Sequence, residues 1–178
     1  MDDSSGRIQF ERIAGCAVIR ITKVVVALVI GIWGLIGLVG NLAALSSVYA
    51  TVEKVTSMAA VPEGMGPPWA TTNALVVGTG VLVIVLGKLA GLICGVGGIR
   101  MLAKIRASSS EFVAAKRWAI AGAGMAFALT FFGFNVMAEG AFFAFFGPEG
   151  GAGPLAFRFA AGFALAALFI AQPETDPS

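Results

Sequence analysis

Four long apolar stretches constrain the fold of this chain more than any other feature. They run over residues 24–45, 74–99, 118–138 and 155–171. At a rise of about 1.5 Å per residue, a helix of about 20 residues crosses the hydrocarbon core of a bilayer. None of the four alternates with a period of two, so a barrel is not indicated. The sequence therefore predicts an all-α integral membrane protein, a bundle of four helices.

Composition supports a membrane protein. Hydrophobic residues make up 58% of the chain and charged residues only 12%. A soluble domain carries about 25% charged residues, so this chain has too little charge to cover a water-exposed surface.

The distribution of positive charge predicts the orientation of the bundle. Nine of the twelve Lys and Arg residues precede the first stretch or lie between the second and third. By the positive-inside rule, both termini face the cytoplasm of a bacterial inner membrane that the chain crosses several times. The predicted organisation is a cytoplasmic N-terminal segment over residues 1–23, a transmembrane domain over 24–172 and a cytoplasmic tail over 173–178.

The loop between the first two stretches contains a helical pattern. Val48, Val52 and Val55 recur at the spacing of one helix face. We expect the first helix either to continue past the membrane or to bend onto its surface. Pro67 and Pro68 end any helix in this loop.

The cytoplasmic loop carries a helix-start signal. Ser108 or Ser109 is placed to cap the third membrane helix, with Glu111 in its first turn. We expect the third helix to begin at these serines.

Catalytic and cofactor sites are not indicated. The chain has no His, which excludes imidazole ligation of a metal or haem and a Ser-His-Asp triad. None of the glycine-rich pieces joins a strand to a helix as a nucleotide-binding loop does. The sequence predicts a non-enzymatic protein that holds no cofactor and binds no nucleic acid.

Glycines form two ladders in the first and second stretches. The first ladder repeats every three residues and the second every four, and they comprise Gly31, Gly34, Gly37, Gly40 and Gly87, Gly91, Gly95. Such grooves let helix backbones approach closely in lipid. The grooves pack either against helices of this chain or against another protein, a lipid or a pigment tail.

Lys88 lies near the middle of the second stretch, next to Gly87. A central lysine costs about 2.5–3.5 kcal/mol on insertion scales. At the same depth the chain offers only the hydroxyl of Thr130 and no carboxylate. Three alternatives stay open: the side chain snorkels to the inner headgroups, it lies neutral against carbonyls and Thr130, or it meets an acid of another subunit.

A second polar set lies toward the outer surface. Glu139 leaves the third helix and Arg158 enters the fourth at similar height, so we expect an ion pair that closes the hairpin between them. Asn41 and Asn135 lie at the outer ends of their helices and can join this network. The alternative is a polar mouth for a small ligand. Phenylalanines near this end, among the fourteen in the chain, face lipid and core or hold an isoprenoid tail.

Several segments resemble a bacterial family of predicted small integral membrane proteins, a four-span domain of unknown function. They are "VIRITK", Trp69, "GIRMLAKIRASSSEFVAAKRWAIAG", "GFNVMAEGAFFAFF", "AFRF" and "AQPE", in order over roughly residues 18–174. The resemblance implies a four-helix fold with Glu139 and Arg158 as motif positions, and it implies no established activity. This chain departs from the family in lacking an acidic residue near Lys88, and in having "FFGPEGGAG" where members have tryptophans.

The functional prediction rests on two features: the helices have more glycine-rich surface than one bundle needs, and Lys88 has no counter-charge at its depth in the membrane. We expect a non-catalytic accessory or assembly subunit of a larger inner-membrane complex, respiratory or photosynthetic, whose partners are other membrane subunits and phospholipids. The alternative is a small transporter or a protein that binds a lipophilic ligand such as a quinone, carotenoid or lipid. Transporters usually have inverted repeats and broken helices, which this sequence lacks.

Overall fold

The computed structural model describes the backbone of residues 3–148 and 152–174 and the side chains of residues 15–148 and 153–174. Within these ranges the chain forms five α-helices and no strand. The helices are α1 Asp3–Ala43, α2 Leu45–Thr56, α3 Ala74–Ala103, α4 Ser109–Thr130 and α5 Ala152–Ala171, and α4 continues into a π-helical segment, Phe131–Ala141. Four of these helices are long and apolar enough to cross a membrane. The predicted all-α class with four apolar helices is confirmed.

The first helix begins much earlier than the apolar pattern indicated. The segment that the sequence assigns to the N-terminal side of the membrane, residues 1–23, shares this helix, since α1 runs without a break from Asp3 through Val24. Its apolar part starts at Gly15. Of the predicted tail over 173–178, only the residues up to Glu174 fall within the described chain.

The bend after α1 gives the bundle two different ends. The helix breaks at Ala44, and α2 packs onto α3, where the Val52 side chain occupies the space beside Gly80. We call this end of the bundle the α2 end. The opposite end holds the α3–α4 connection and Glu174, and we call it the basic end.

Capping fixes the start of α3 and α4. Ser108 accepts a hydrogen bond from the Glu111 N–H at 3.4 Å, which confirms the predicted cap. At the α2 end, Asn73 accepts a hydrogen bond from the Leu75 N–H at 2.9 Å. These caps satisfy donors that have no partner within the helix.

Glycines bring α1 and α3 into backbone contact. A Cβ atom on Gly31 would lie 2.5 Å from the Cα of Gly95, and one on Gly34 would lie 2.7 Å from the carbonyl oxygen of Lys88. A Cβ on Gly91 would lie 3.0 Å from the Cα of Gly34. Two faces of the predicted ladders therefore pack against each other within this chain.

The other glycines of the ladders have different surroundings. Gly87 faces the side chain of Leu129 across α3 and α4, whereas the surface of Gly40 has nothing within 4 Å among the described residues. Gly37 lies against the side chain of Lys88. The first ladder thus contributes to helix packing at two positions and to the surroundings of a charged group at a third.

The α3 helix packs closely against α1 and α4, whereas a wider gap separates α1 from α5. Trp33 of α1 fills part of that gap, with its ring centroid 5.6 Å from that of Phe159 and 4.6 Å from that of Phe163. Both phenylalanines belong to α5. The gap stays open toward the α2 end, where a cavity begins.

Candidate functional site

A cavity of about 340 Å³ lies inside the α2 half of the bundle. All four membrane-spanning helices and α2 contribute to its wall. Lys88, Trp33 and Thr130 line one part of it, and Ser47, Val48 and Thr51 of α2 line another. The volume falls within the roughly 300–1,000 Å³ usual for small-molecule sites.

The Lys88 side chain points toward the α2 end of the bundle. The carbonyl of Lys88 faces Gly34, but its side chain crosses Gly37, one turn closer to α2. A Cβ on Gly37 would lie 2.7 Å from both Cδ and Cε of Lys88. This direction agrees with the lean of helical side chains toward the helix N-terminus, which for α3 is the α2 end. Of the three alternatives left open for Lys88, a side chain that reaches toward the basic end does not fit this direction.

The Lys88 ammonium lies over an aromatic ring, and no carboxylate of the described residues pairs with it. Its Nζ lies 3.5 Å from the ring centroid of Trp33. Among the described residues, Lys88 forms no hydrogen bond or ion pair, and Thr130 does not bind it. A desolvated cation–π contact contributes about 2 kcal/mol, which offsets only part of the cost of a central lysine. The ammonium therefore retains unused donors that face the cavity.

A second unused donor lines the same cavity. The Nδ2 atom of Asn41 is buried and has no hydrogen-bond partner within the described chain. Asn41 lies one turn of α1, about 6 Å, beyond Gly37, over which Lys88 extends. A buried amide without a partner costs about 1–3 kcal/mol. The sequence placed Asn41 with the outer polar residues, but the structure places it with Lys88.

An apolar cavity of about 310 Å³ adjoins the first one. The two share the wall residues Thr51, Val52, Val83, Ile84 and Phe134. The rest of its lining includes valine, phenylalanine and methionine side chains together with small residues, two threonines and one carboxylate residue, Glu139. Together, the two cavities resemble a binding site for a molecule that has a polar head group and an apolar body.

The outer polar set forms a different arrangement from the one expected. Asn135 donates hydrogen bonds to the Glu139 carboxylate at 2.9 Å and to the Gly153 carbonyl at 3.3 Å. Glu139 lies directly against Gly153, where no side chain would fit. Arg158 is exposed and makes no ion pair with Glu139, so that predicted pair is absent. Asn135 and the backbone of Gly153 join the π-helical segment to α5 instead.

A buried charge cluster that the sequence did not indicate lies at the basic end. Glu174 lies 2.6 Å from the Lys23 ammonium, 3.0 Å from the Lys116 ammonium and 3.6 Å from the Arg20 guanidinium. Both lysines also donate to the carbonyl of Gln172, at 2.9 and 2.6 Å. The cluster ties the segment after α5 to α1 and α4.

Burial makes this cluster electrostatically strong. The side chain of Lys23 is fully buried, and those of Lys116 and Glu174 are 3% and 5% exposed. Burial acts to raise the pKa of the Glu174 carboxyl, but the hydrogen bonds from Lys23 and Lys116 outweigh it and hold that pKa below its ordinary value. Arg20 also donates to the Ala107 carbonyl at 2.7 Å and to Ser109 Oγ at 2.9 Å. Its donors thereby bind the α3–α4 connection.

One signal for the cluster was present in the sequence. Its members fall in "VIRITK", "FVAAKRW" and "AQPE", three separate segments that carry the family resemblance. In the sequence these basic residues indicate only the topology. Because each of these three distant segments contains polar residues, the segments were candidates for contact with one another.

Comparison with known proteins agrees with the fold. Residues 19–173 match the family model described as "Predicted small integral membrane protein (DUF2165)". The chain belongs to this family. The matched range of this DUF2165 protein includes Lys88, Asn41 and the basic members of the charge cluster, and it ends one residue before Glu174. No curated protein and no solved structure matches the chain. The family description establishes an integral membrane protein and states no activity.

Proposed function

We propose that this protein binds a lipophilic molecule from the bilayer in the cavity between its membrane helices. The observation that carries the proposal is the Lys88 ammonium, which faces a cavity with mainly apolar walls and, among the described residues, has only the ring of Trp33 as its partner. An intramembrane charge without a counter-ion marks a functional site by default. The unpartnered Asn41 amide in the same cavity supports this interpretation.

The proposal favours the ligand-binding alternative over transport or catalysis. The wall provides hydrogen-bond donors and apolar surface, which are sufficient to hold and orient a molecule. We propose no reaction, because the chain offers no nucleophile with an adjacent base in this cavity. Its lining contains neither a His nor a Cys.

Identification of lipids bound to the purified protein tests this function. The protein is extracted in mild detergent, and co-purifying small molecules are measured by mass spectrometry. We expect a lipophilic compound at near-stoichiometric amount in the wild type. Val83→Trp should remove it, because Val83 lines both cavities. Val96→Trp is the matched control, since Val96 belongs to the same helix but is exposed on its surface. Equal recovery from both variants would refute the proposal.

An accessory or assembly subunit of an inner-membrane complex is a second candidate function. Its support is the apolar face of α1, where large side chains such as Ile32, Ile36 and Val39 are exposed and Gly40 leaves an open surface. The glycine ladders give this candidate less support than expected, because most of their members pack within the chain. Native gels followed by mass spectrometry test it: a membrane protein that co-migrates at fixed stoichiometry supports it, and a lone chain argues against it.

We also propose that the chain lies in a bacterial inner membrane with both termini in the cytoplasm. The excess of Lys and Arg at the basic end supports this orientation. Single cysteines at exposed positions test it in a background without Cys16 and Cys94. In intact cells a membrane-impermeant thiol reagent should label Glu63→Cys, at the α2 end, and not Ser110→Cys, at the basic end. The reverse labelling would overturn the proposed topology.

A further inference from the structure

We infer that the molecule bound in the cavity is a single-chain lipophilic carboxylate, a fatty acid in chemical class, whose head contacts Lys88 and Asn41. The inference rests on the proposed function and names the ligand class of the same site. The charge, the hydrogen-bonding groups and the shape of the two cavities each restrict the ligand.

Charge restricts the head group first. The cavity beside Lys88 is lined by no Asp or Glu. A neutral ligand would leave the ammonium uncompensated in a low-dielectric surrounding, where the interaction of opposite charges is strongest. A ligand that brings its own negative charge removes this cost. The ammonium and the ligand then form a pair that no residue of the described chain provides.

Hydrogen-bonding groups restrict the head further. Among the described polar groups at this place, the Lys88 ammonium and the Asn41 Nδ2 have no hydrogen-bond partner and can only donate, whereas the hydroxyls of Ser47 and Thr130 in the same wall can either donate or accept. The hydroxyl of Thr51 in the wall already donates to the Ser47 carbonyl at 2.9 Å. A complementary head therefore consists of acceptors. A carboxylate has two acceptor oxygens and no donor, so it can satisfy both groups at once.

Shape restricts the body of the ligand. The adjoining cavity of about 310 Å³ has an almost wholly apolar wall and shares five residues with the first. Each cavity is near the lower limit for small-molecule sites, about 300 Å³. This space suits one acyl chain and a small head, and it is too small for the two chains and headgroup of a phospholipid. The α2 helix covers both cavities and would hold the chain beneath it.

Binding of tritiated palmitic acid tests the inference. The dissociation constant is measured on detergent-purified, delipidated protein above the pKa of the acid, and tritiated hexadecanol serves as the uncharged probe of similar length. We expect the wild type to prefer the acid over the alcohol by at least about tenfold. Lys88→Met should abolish that preference. Lys54→Met removes an exposed lysine of α2 and should leave both constants unchanged.

A second variant keeps the test decisive if Lys88→Met fails to fold. Asn41→Asp introduces a carboxylate into the cavity, so it should weaken palmitate binding by about tenfold or more and reduce the preference for the acid over hexadecanol. If the wild type binds hexadecanol as tightly as palmitate, the carboxylate inference is overturned and the proposed function stands. If neither probe binds, or if Val83→Trp leaves both constants unchanged, the proposed function is overturned as well.

Discussion

Replacement of Glu174 by Gln should destabilise the protein strongly, although this residue lies only three positions beyond the last helix. The substitution keeps the size of the side chain and removes its charge. The cations of Arg20, Lys23 and Lys116 then lose the carboxylate with which all three pair in the described part of the chain. Removal of one partner from a buried ion pair costs about 3–5 kcal/mol. We expect a loss of free energy of unfolding in that range, because the two lysines are almost completely buried.

The assay is reversible unfolding in mixed micelles, followed by tryptophan fluorescence as the denaturing detergent is increased. Glu111→Gln is the matched control, since it removes a carboxylate that pairs with Lys104 at 2.8 Å. That pair is about half exposed on both sides, and exposed pairs contribute little. Its loss should leave the unfolding midpoint nearly unchanged.

A double variant separates charge from packing. Lys116→Met in the Glu174→Gln background removes one of the stranded cations, so it should restore part of the lost stability. The reasoning would be refuted if Glu174→Gln unfolded at the same detergent fraction as Glu111→Gln. It would also be refuted if the double variant were less stable than the single one, because stranded charge would then not be the cause.

Three further predictions follow from the same contacts. The pKa of Glu174 is depressed below its ordinary 4.5 in the folded protein. Its contribution to stability should therefore be complete above pH 4.5 and be lost as the pH falls through the folded pKa. Unfolding curves of the wild type from pH 7 to 3 measure this loss, and a stability that does not change with pH would contradict it. Gly31→Ala should cost about 1–3 kcal/mol, because its Cβ would meet the backbone of Gly95, whereas Gly40→Ala should change stability by no more than about 1 kcal/mol. Equal midpoints for these two alanine variants would count against the close approach of α1 and α3. Lys88→Met should stabilise the delipidated protein by about 1 kcal/mol or more, since the cation–π contact with Trp33 only partly offsets the cost of burying the charge, and a loss of stability would show that this contact dominates.

The sequence was a reliable guide wherever one helix decides the outcome alone. The length and hydropathy of a stretch determine whether it can cross a bilayer, so the four apolar helices were predicted correctly. The cap at Ser108 was also predictable, because capping involves residues only three apart. The apolar pattern did not indicate the start of α1, since a helix can extend beyond its apolar part.

The surroundings of each polar residue could not be read from the sequence, because they depend on how the helices are rotated against one another. The cost of Lys88 follows from its depth, but its partner Trp33 belongs to another helix, and the turn of α1 that faces α3 decides whether the two meet. The same rotation turns Arg158 to the surface and leaves Glu139 to Asn135. In the sequence Glu174 resembled part of a free tail, because its partners Lys23 and Lys116 are 151 and 58 residues away along the chain. The sequence by itself determined which segments enter the membrane, since each helix must satisfy its backbone and match the bilayer alone. Only the tertiary structure decided which charged side chains have a partner, because a counter-charge or an aromatic ring interacts with them within a few ångströms, whatever the distance along the chain.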